Sequence, residues 1–496
     1  MSAPQTQPTS QLEIVFAREE SPRRVFLVVA LAAFLATLDM FIVNIAVPAI
    51  QRGFHGAGVE AVSWVLNGYA IVFAALLVPA GKLGDVIGRR RVFVAGLVAF
   101  GLGSVLSAAA PSLGLLIGAR VLQGAGAAAV TPTSLGLLLP SVPAARRPAA
   151  IGGWAAIGAV GAASGPPLGG LLTEISWHWI FIVNVPLSLL AVIAAYRVLP
   201  EIRDRSRPPL PDGLGTVVLM AAVALATLAL VKGSSWSWDG RTIGCLLAAV
   251  ALAGAFVVRS QRHRAPVLEL SILRVRAFAL ASLSATLFFA SFSVMLLGNV
   301  LFLTGVWRYS VIHAGLALTP GPLAAAAFAP VSGRLAARLG PGVVGGLGAV
   351  LFTGGSVLFI TLVGLHPSYA AAFLPGMLIG GAGVGLALPS FTIAATRTLK
   401  PQLLATGIGA QTMFRQIGGT LGVAAFVAIL GTPSASDVLT RYDNTRWFMA
   451  ASSLAAGLAL ALIRRPSATP AQRRAASLAA HPAAAAAAGD AGTGQR

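Results

Sequence analysis

The sequence predicts an all-α integral membrane protein with fourteen transmembrane helices, and three observations carry that reading. The chain is 56% hydrophobic and only 10% charged over 496 residues, where a soluble domain carries about 25% charged residues; its mean hydropathy is +0.83. Fourteen apolar runs approach the ~20 residues that an α-helix needs to cross a bilayer. Between them, basic residues fall mostly on one side, as the positive-inside rule requires.

The runs lie at about 25–50, 61–80, 92–110, 113–139, 149–173, 178–198, 214–232, 242–258, 278–303, 311–333, 343–363, 369–395, 403–431 and 446–463. A missed or spurious helix would scramble the alternation of basic loops. With a cytoplasmic N-terminus, most of the 35 Lys and Arg fall in cytoplasmic segments, including Lys82 with Arg89 to Arg91, Arg146 with Arg147, and the group from Arg197 to Arg207. Arg52, Lys232, Arg241, Arg308, Arg441 and Arg446 fall outside, and Arg120 and Arg415 lie within predicted spans. Both termini are therefore expected in the cytoplasm, with the chain multi-pass in the inner (plasma) membrane. Trp64, Trp177, Trp179, Trp236, Trp238, Trp307 and Trp447 gather near the predicted outer ends, as an interfacial belt would.

A net charge of +20 would point to nucleic acid in a soluble protein, but here it sits in short loops between apolar runs, so the expected partner is the lipid bilayer and not nucleic acid. Cys245, the only cysteine, has no intrachain partner. The first 22 residues are polar and the run after them is too long for a signal-peptide core, so the first helix is expected to stay. The segments 1–22 and 466–496 read as disordered.

Several short segments carry chemistry, each with a plainer reading beside it. GKLGDVIGRRR (81–91) joins the second and third runs; its glycines permit a tight turn, and Asp85 can accept hydrogen bonds from the basic residues or from a helix N-terminus. The plain alternative is an ordinary basic loop. GRLAARLG (333–340) repeats its frame after the tenth run. Asp39 lies about 21 Å into the first run at 1.5 Å per residue, near mid-bilayer. A charge there costs at least about 2.5 kcal/mol, so Asp39 should face a wet cavity, meet a partner or carry a proton. Its plain reading is a structural ion pair with Arg120, which lies at similar depth. Arg415, in the thirteenth run, suits an anionic group, a freed carbonyl or simple packing. GAASGPPLGG (161–170) puts small residues on one face of the fifth run and a proline pair in its middle, for close packing and a bend. GGAGVG (380–385) lies inside an apolar helix with no strand before it and is no nucleotide loop. The histidines lack metal-ligand spacing and no Walker motif occurs, so neither metal nor cofactor is expected.

Taken in order, these segments resemble the major facilitator superfamily. GKLGDVIGRRR looks like its signature loop, and LDMFIVNIAVP (38–48) resembles the first-helix signature of its drug:proton antiporter branch with fourteen helices. RVLQGAG (120–126) is similar to its membrane-embedded arginine motif and GAASGPPLGG to its antiporter motif. WHWIFIVNVP (177–186) resembles the entry to its sixth helix, and RQIGG (415–419) a stretch of its thirteenth. The resemblance implies two six-helix bundles, at 23–200 and 277–465, with a helix pair inserted at 201–276. It further implies proton coupling at Asp39 and Arg120, and a substrate cavity that includes Asn44, Gln123, Asn299 and Arg415. Gating would fall to Gly81, Asp85, Gly88, Arg89 and Arg90, and the antiporter motif to Gly161, Gly165, Pro166, Gly169 and Gly170.

Two departures stand out: Phe41 occupies a position that is often Thr, and no acid lies inside the eighth to fourteenth runs, with Asp437 and Asp443 placed before the last. Coupling should then be N-terminal. The expected activity is proton-driven export of hydrophobic or amphiphilic small molecules, with protons and the substrate as partners. The rivals are a proton-coupled uptake carrier, a dedicated exporter of an endogenous lipid or natural product, and a membrane enzyme. An enzyme would need a cluster of nucleophile, base or metal ligands, and none is apparent.

Overall fold

The computed structural model describes residues 12–15, 21–143, 146–204, 209–397, 399 and 403–463. These fold into helices α1 (Pro22–Gly53), α2 (Val59–Ile87), α3 (Arg89–Ala108), α4 (Leu113–Leu138), α5 (Arg147–Ile175), α6 (Trp179–Ile182), α7 (Asn184–Val198), α8 (Gly213–Gly233) and α9 (Gly240–Arg262). They continue as α10 (Arg276–Gly305), α11 (Val311–Leu318), α12 (Pro320–Leu339), α13 (Pro341–Leu362), α14 (Leu374–Thr396), α15 (Leu404–Leu430) and α16 (Val438–Ala461). Among the described residues, thirteen helical stretches are long and apolar enough to cross a membrane. The helix α16 is absent from that set because Arg441, Asp443 and Arg446 lower the hydropathy of its first half.

The predicted runs meet the helices with two corrections. The sixth and tenth runs each form one stretch long enough to span, interrupted only at Val183 between α6 and α7 and at Thr319, where Pro320 opens α12 at its first position. The last helix starts at Val438 rather than 446, so Asp443 lies inside it and not before it; Arg446 is buried and pairs with Asp443 at 2.8 Å. In place of a disordered N-terminal segment, Leu12–Val15 (β1) pairs antiparallel with Glu201–Asp204 (β2), Leu12 opposite Asp204. The rest of that segment that precedes residue 21, and the tail 466–496, lie outside the described residues. Of the tryptophans near the predicted outer ends, Trp177 and Trp307 are buried, packed on Phe54 and on Phe302 and Phe373, whereas Trp179, Trp238 and Trp447 are exposed.

Packing repeats between the first and last thirds of the chain. The helix α1 lies along α5 as α10 lies along α15, and α3 touches α4 and α7 as α13 touches α14 and α16. The motif repeated in the sequence repeats in conformation. Gly88 ends α2 with φ +117° and Gly340 ends α12 with φ +89°, each donating its N–H to a carbonyl four residues back. Both sit in the left-handed region that favours glycine. The pair α8 and α9 stands outside this repeat: α8 packs on both α2 and α15. Asp212 fixes its start by accepting from Gly215 N at 2.8 Å, and Arg259 of α9 donates to the same oxygen from Nε and Nη2.

In a bilayer the apolar effect does not drive helix against helix, so close approach must come from small side chains. The face of α5 shows this. A Cβ at Gly165 would lie 2.6 Å from Phe41 Cβ, one at Gly161 2.9 Å from Phe34 O, and one at Gly169 would strike Ile45. The backbone of α1 at Phe41 thus approaches α5 this closely only because α5 presents glycine there, and the Phe41 ring packs on Phe292 of α10 at 6.1 Å.

Candidate functional site

Asp39 is fully buried in α1, and so is Arg120 in α4. Arg120 Nη1 donates to Asp39 Oδ2 at 2.6 Å. Gln123 Nε2 and Asn184 Nδ2 donate to Asp39 Oδ1 at 2.8 and 3.0 Å. Every group bonded to the carboxylate is a donor. Gln123 is itself oriented: its Oε1 accepts from Arg120 Nη1 at 2.6 Å, and its Nε2 also donates to Ser104 Oγ at 2.9 Å. Arg120 Nε donates to Val65 O at 3.2 Å, and the guanidinium lies 4.3 Å over the Tyr69 ring. Four helices therefore converge on one charge pair.

The helix α4 makes this possible because Arg120 and Gln123 stand three residues apart, on one face of the helix. The role of Asn184 was not read from the sequence. Its motif was visible, but nothing local shows that the start of α7 folds back onto α1.

Beside the pair, α1, α2, α4, α10 and α15 enclose a cavity of about 40 Å³. Of the residues expected there, Asn44 lines it and Gln123, Asn299 and Arg415 do not; Arg120, expected as a coupling residue, lines it as well. Gln123 is turned to Asp39. Asn299 donates to Met377 Sδ at 3.5 Å, and Arg415 stacks on Phe289 at 4.3 Å. The polar lining comes instead from Asn67, Ser293, Gln416 and Thr420. Each lies in an apolar run where a single amide or hydroxyl is unremarkable, so only the fold brings them together.

The segment 81–91 is less of a loop than its glycines suggested. Gly81 and Asp85 lie in the last turns of α2, which runs to Ile87, and Gly88 alone breaks the backbone before α3. Asp85 accepts from Arg89 Nε at 2.8 Å, and Arg89 Nη1 donates to Gly136 O of α4 at 2.6 Å. On the other flank, Glu201 Oε1 accepts from Arg90 N at 3.1 Å, its Oε2 lies 3.6 Å from Arg91 Nε, and Arg90 Nη1 donates to Leu199 O at 3.2 Å. Glu201 places negative charge at the N-terminus of α3, where the helix dipole favours it. It was hidden in the sequence among the basic residues that follow α7.

At one end of the molecule the residues of the antiporter motif close against α11. Glu174 Oε1 accepts from Ile312 N at 3.4 Å, a Cβ at Gly170 would lie 2.9 Å from Ile312 Cα, and a Cβ at Gly315 would strike Pro166 O. Toward its other end α5 is largely exposed, at Ala149, Ile151, Gly152, Ala155 and Ala156. Among the described residues no group of His, Cys, Asp and Glu is placed to hold a metal.

The profile of the Major Facilitator Superfamily matches residues 29–423. The chain is 32% identical over 422 residues to the tetracenomycin C resistance and export protein of Streptomyces glaucescens, covering 84% of this chain and 77% of that one. It is 35% identical over 408 residues to the multidrug resistance protein Stp of Mycobacterium tuberculosis, covering 81% and 74%. Its fold is similar to that of a D-xylose-proton symporter, with a TM-score of 0.63 at 14% identity, covering 88% of this chain and 97% of that one.

Proposed function

The chain belongs to the major facilitator superfamily of membrane transporters, and from that premise we propose that it is a proton-coupled antiporter that exports hydrophobic or amphiphilic small molecules by alternating access. The observation that carries the reading is Asp39, buried mid-helix with three donors beside a cavity shared by both halves of the molecule. A proton on that carboxyl would remove the charge that holds Arg120 and Gln123. Both side chains would then be free to change partners, and the balance between two packings of the halves would shift. Export as the direction is supported by the relatives, one named for resistance and export and the other for multidrug resistance. The glycine face of α5 fits the antiporter motif of that branch.

The proposed topology is fourteen spans, α16 being the last, in the inner membrane with both termini cytoplasmic. Two six-helix bundles flank the inserted α8 and α9. The basic residues at the α2–α3 junction and after α7 support that orientation.

The test is efflux from proteoliposomes under an imposed pH gradient. Wild type should move substrate against its concentration gradient, whereas Asp39→Asn should lose uphill transport and keep downhill exchange. Full gradient-driven efflux by Asp39→Asn would move the coupling site elsewhere.

A further inference from the structure

We propose that the cavity between the two halves selects uncharged molecules bearing carbonyl and hydroxyl groups, rather than lipophilic cations, and that Asn67 is the residue that reads them. This rests on the reading of the chain as an exporter and names the cargo of that same cavity.

Two independent observations lead there. The first concerns charge. Arg120 lines the cavity, and among the described residues no acid does. The nearest acid, Asp39, is fully buried, and both its oxygens are held by Arg120, Gln123 and Asn184. A cation entering this space meets a guanidinium and no available counter-charge, a desolvation that nothing offsets. An uncharged ligand meets no such penalty.

The second concerns hydrogen bonds. Asn67 is fully buried in α2, and neither its Oδ1 nor its Nδ2 has a partner among the described residues. Other lining groups are already engaged: Asn44 Nδ2 donates to Met40 O at 2.8 Å, and Thr420 Oγ1 donates to Gln416 O at 3.0 Å. A buried carboxamide with no protein partner at either end is rare and costly unless water or a ligand completes it, and a ligand that enters the cavity takes the place of that water. One amide offers a donor to a carbonyl and an acceptor to a hydroxyl. Gln416 places a second carboxamide on the lining, from α15 of the opposite half.

A ligand bridging Asn67 and Gln416 would touch both halves at once. At about 40 Å³ the cavity holds a water or two in this conformation. A drug-sized molecule, which needs about 300 Å³ or more, enters only when α2 and α15 move apart.

The experiment uses the full-length protein in proteoliposomes under a pH gradient, with four probes: uncharged chloramphenicol and 1,4-dihydroxyanthraquinone, and the cations ethidium and tetraphenylphosphonium. Wild type should transport the uncharged pair and leave the cations. Asn67→Ala should raise KM for the uncharged probes about tenfold with a smaller change in kcat, as expected for a lost polar match. Asn67→Asp, which keeps the shape and adds a carboxylate to the cavity, should weaken the uncharged probes and admit the cations. Size-exclusion profiles matching wild type establish that both variants are folded. Transport of the cations by wild type at rates equal to the uncharged probes overturns the charge selection and leaves the exporter reading standing. An unchanged KM in both folded variants removes Asn67 from recognition. Failure of all four probes to move under the gradient removes the exporter reading and this inference with it.

Discussion

Arg120 makes three hydrogen bonds from two nitrogens while fully buried, and the cost of disturbing it depends on what is left behind. Arg120→Ala strands the Asp39 carboxylate in a low-dielectric interior, a change that typically costs about 3–5 kcal/mol. Adding Asp39→Asn to that variant removes the stranded charge. The double variant should therefore unfold in detergent at a higher denaturant concentration than Arg120→Ala alone, the non-additivity expected of direct partners. Strict additivity would show that the two side chains do not act as a pair. At this scale the sequence was informative where a charge had to be explained: Asp39 and Arg120 both lie in apolar runs, so each demanded a partner and each found the other. It gave no contact for Asn67, nor for Asn184 and Gln416 although both lie in recognisable motifs, because a neutral amide in a transmembrane run raises no comparable question. Asp443 was misplaced for a related reason. The charges at the start of α16 depress hydropathy below what marks a span, although the ion pair with Arg446 lets the helix continue through them.

Among the elements, α8 and α9 are tied by one carboxylate. Burial pushes the Asp212 carboxyl up, but hydrogen bonds from Arg259 and the Gly215 N–H outweigh that and hold it below its ordinary value. A carboxylate with a lowered folded-state pKa contributes stability above its unfolded value, near 4, and loses it as pH falls through the folded value. Asp212→Asn should lower the melting temperature at pH 7 by an amount equivalent to about 1–3 kcal/mol. The gap from wild type should close as the pH is taken below about 4; a gap that persists unchanged in acid would assign the effect to packing instead. The junction of α2 and α3 is held from two sides, Asp85 through Arg89 and Glu201 through the start of α3. Glu201→Gln and Asp85→Asn should each insert and fold as wild type, yet slow transport about fivefold or more, since a lost charge-assisted contact shifts a two-state balance by about 1–3 kcal/mol. Equal rates at equal expression would reduce the junction to a topological marker. The repeat of this junction at Gly340 was legible in eight residues of sequence, because a backbone break with positive φ leaves a glycine that spacing reveals. The strand pair of β1 and β2 was not, since four residues of unexceptional composition acquire a partner some 190 residues away only in the fold.

For the whole molecule, the fold class followed from composition, whereas the relation between the halves did not, because no local pattern encodes which ends touch. In this structure the residues from Pro166 to Glu174 close on α11. Alternating access requires that closure to open and the opposite end to close in each cycle. A covalent link across Glu174 and Ile312 should therefore arrest transport, whatever the substrate. The chain is suited to the test: Cys245 is its only cysteine, and Cys245→Ser gives a background in which Glu174→Cys and Ile312→Cys can be bridged by a short bis-thiol reagent. Each single variant, treated in the same way, should retain transport. The bridged pair should fall to a small fraction of that rate and recover on reduction, while its substrate affinity in the arrested state stays measurable, because the cavity lies toward mid-membrane and is not itself linked. Arrest with loss of folding would show up as aggregation in size exclusion. Full transport by the bridged protein would mean that this end does not open during the cycle, and that the two halves exchange substrate by some motion other than alternating closure at α5 and α11.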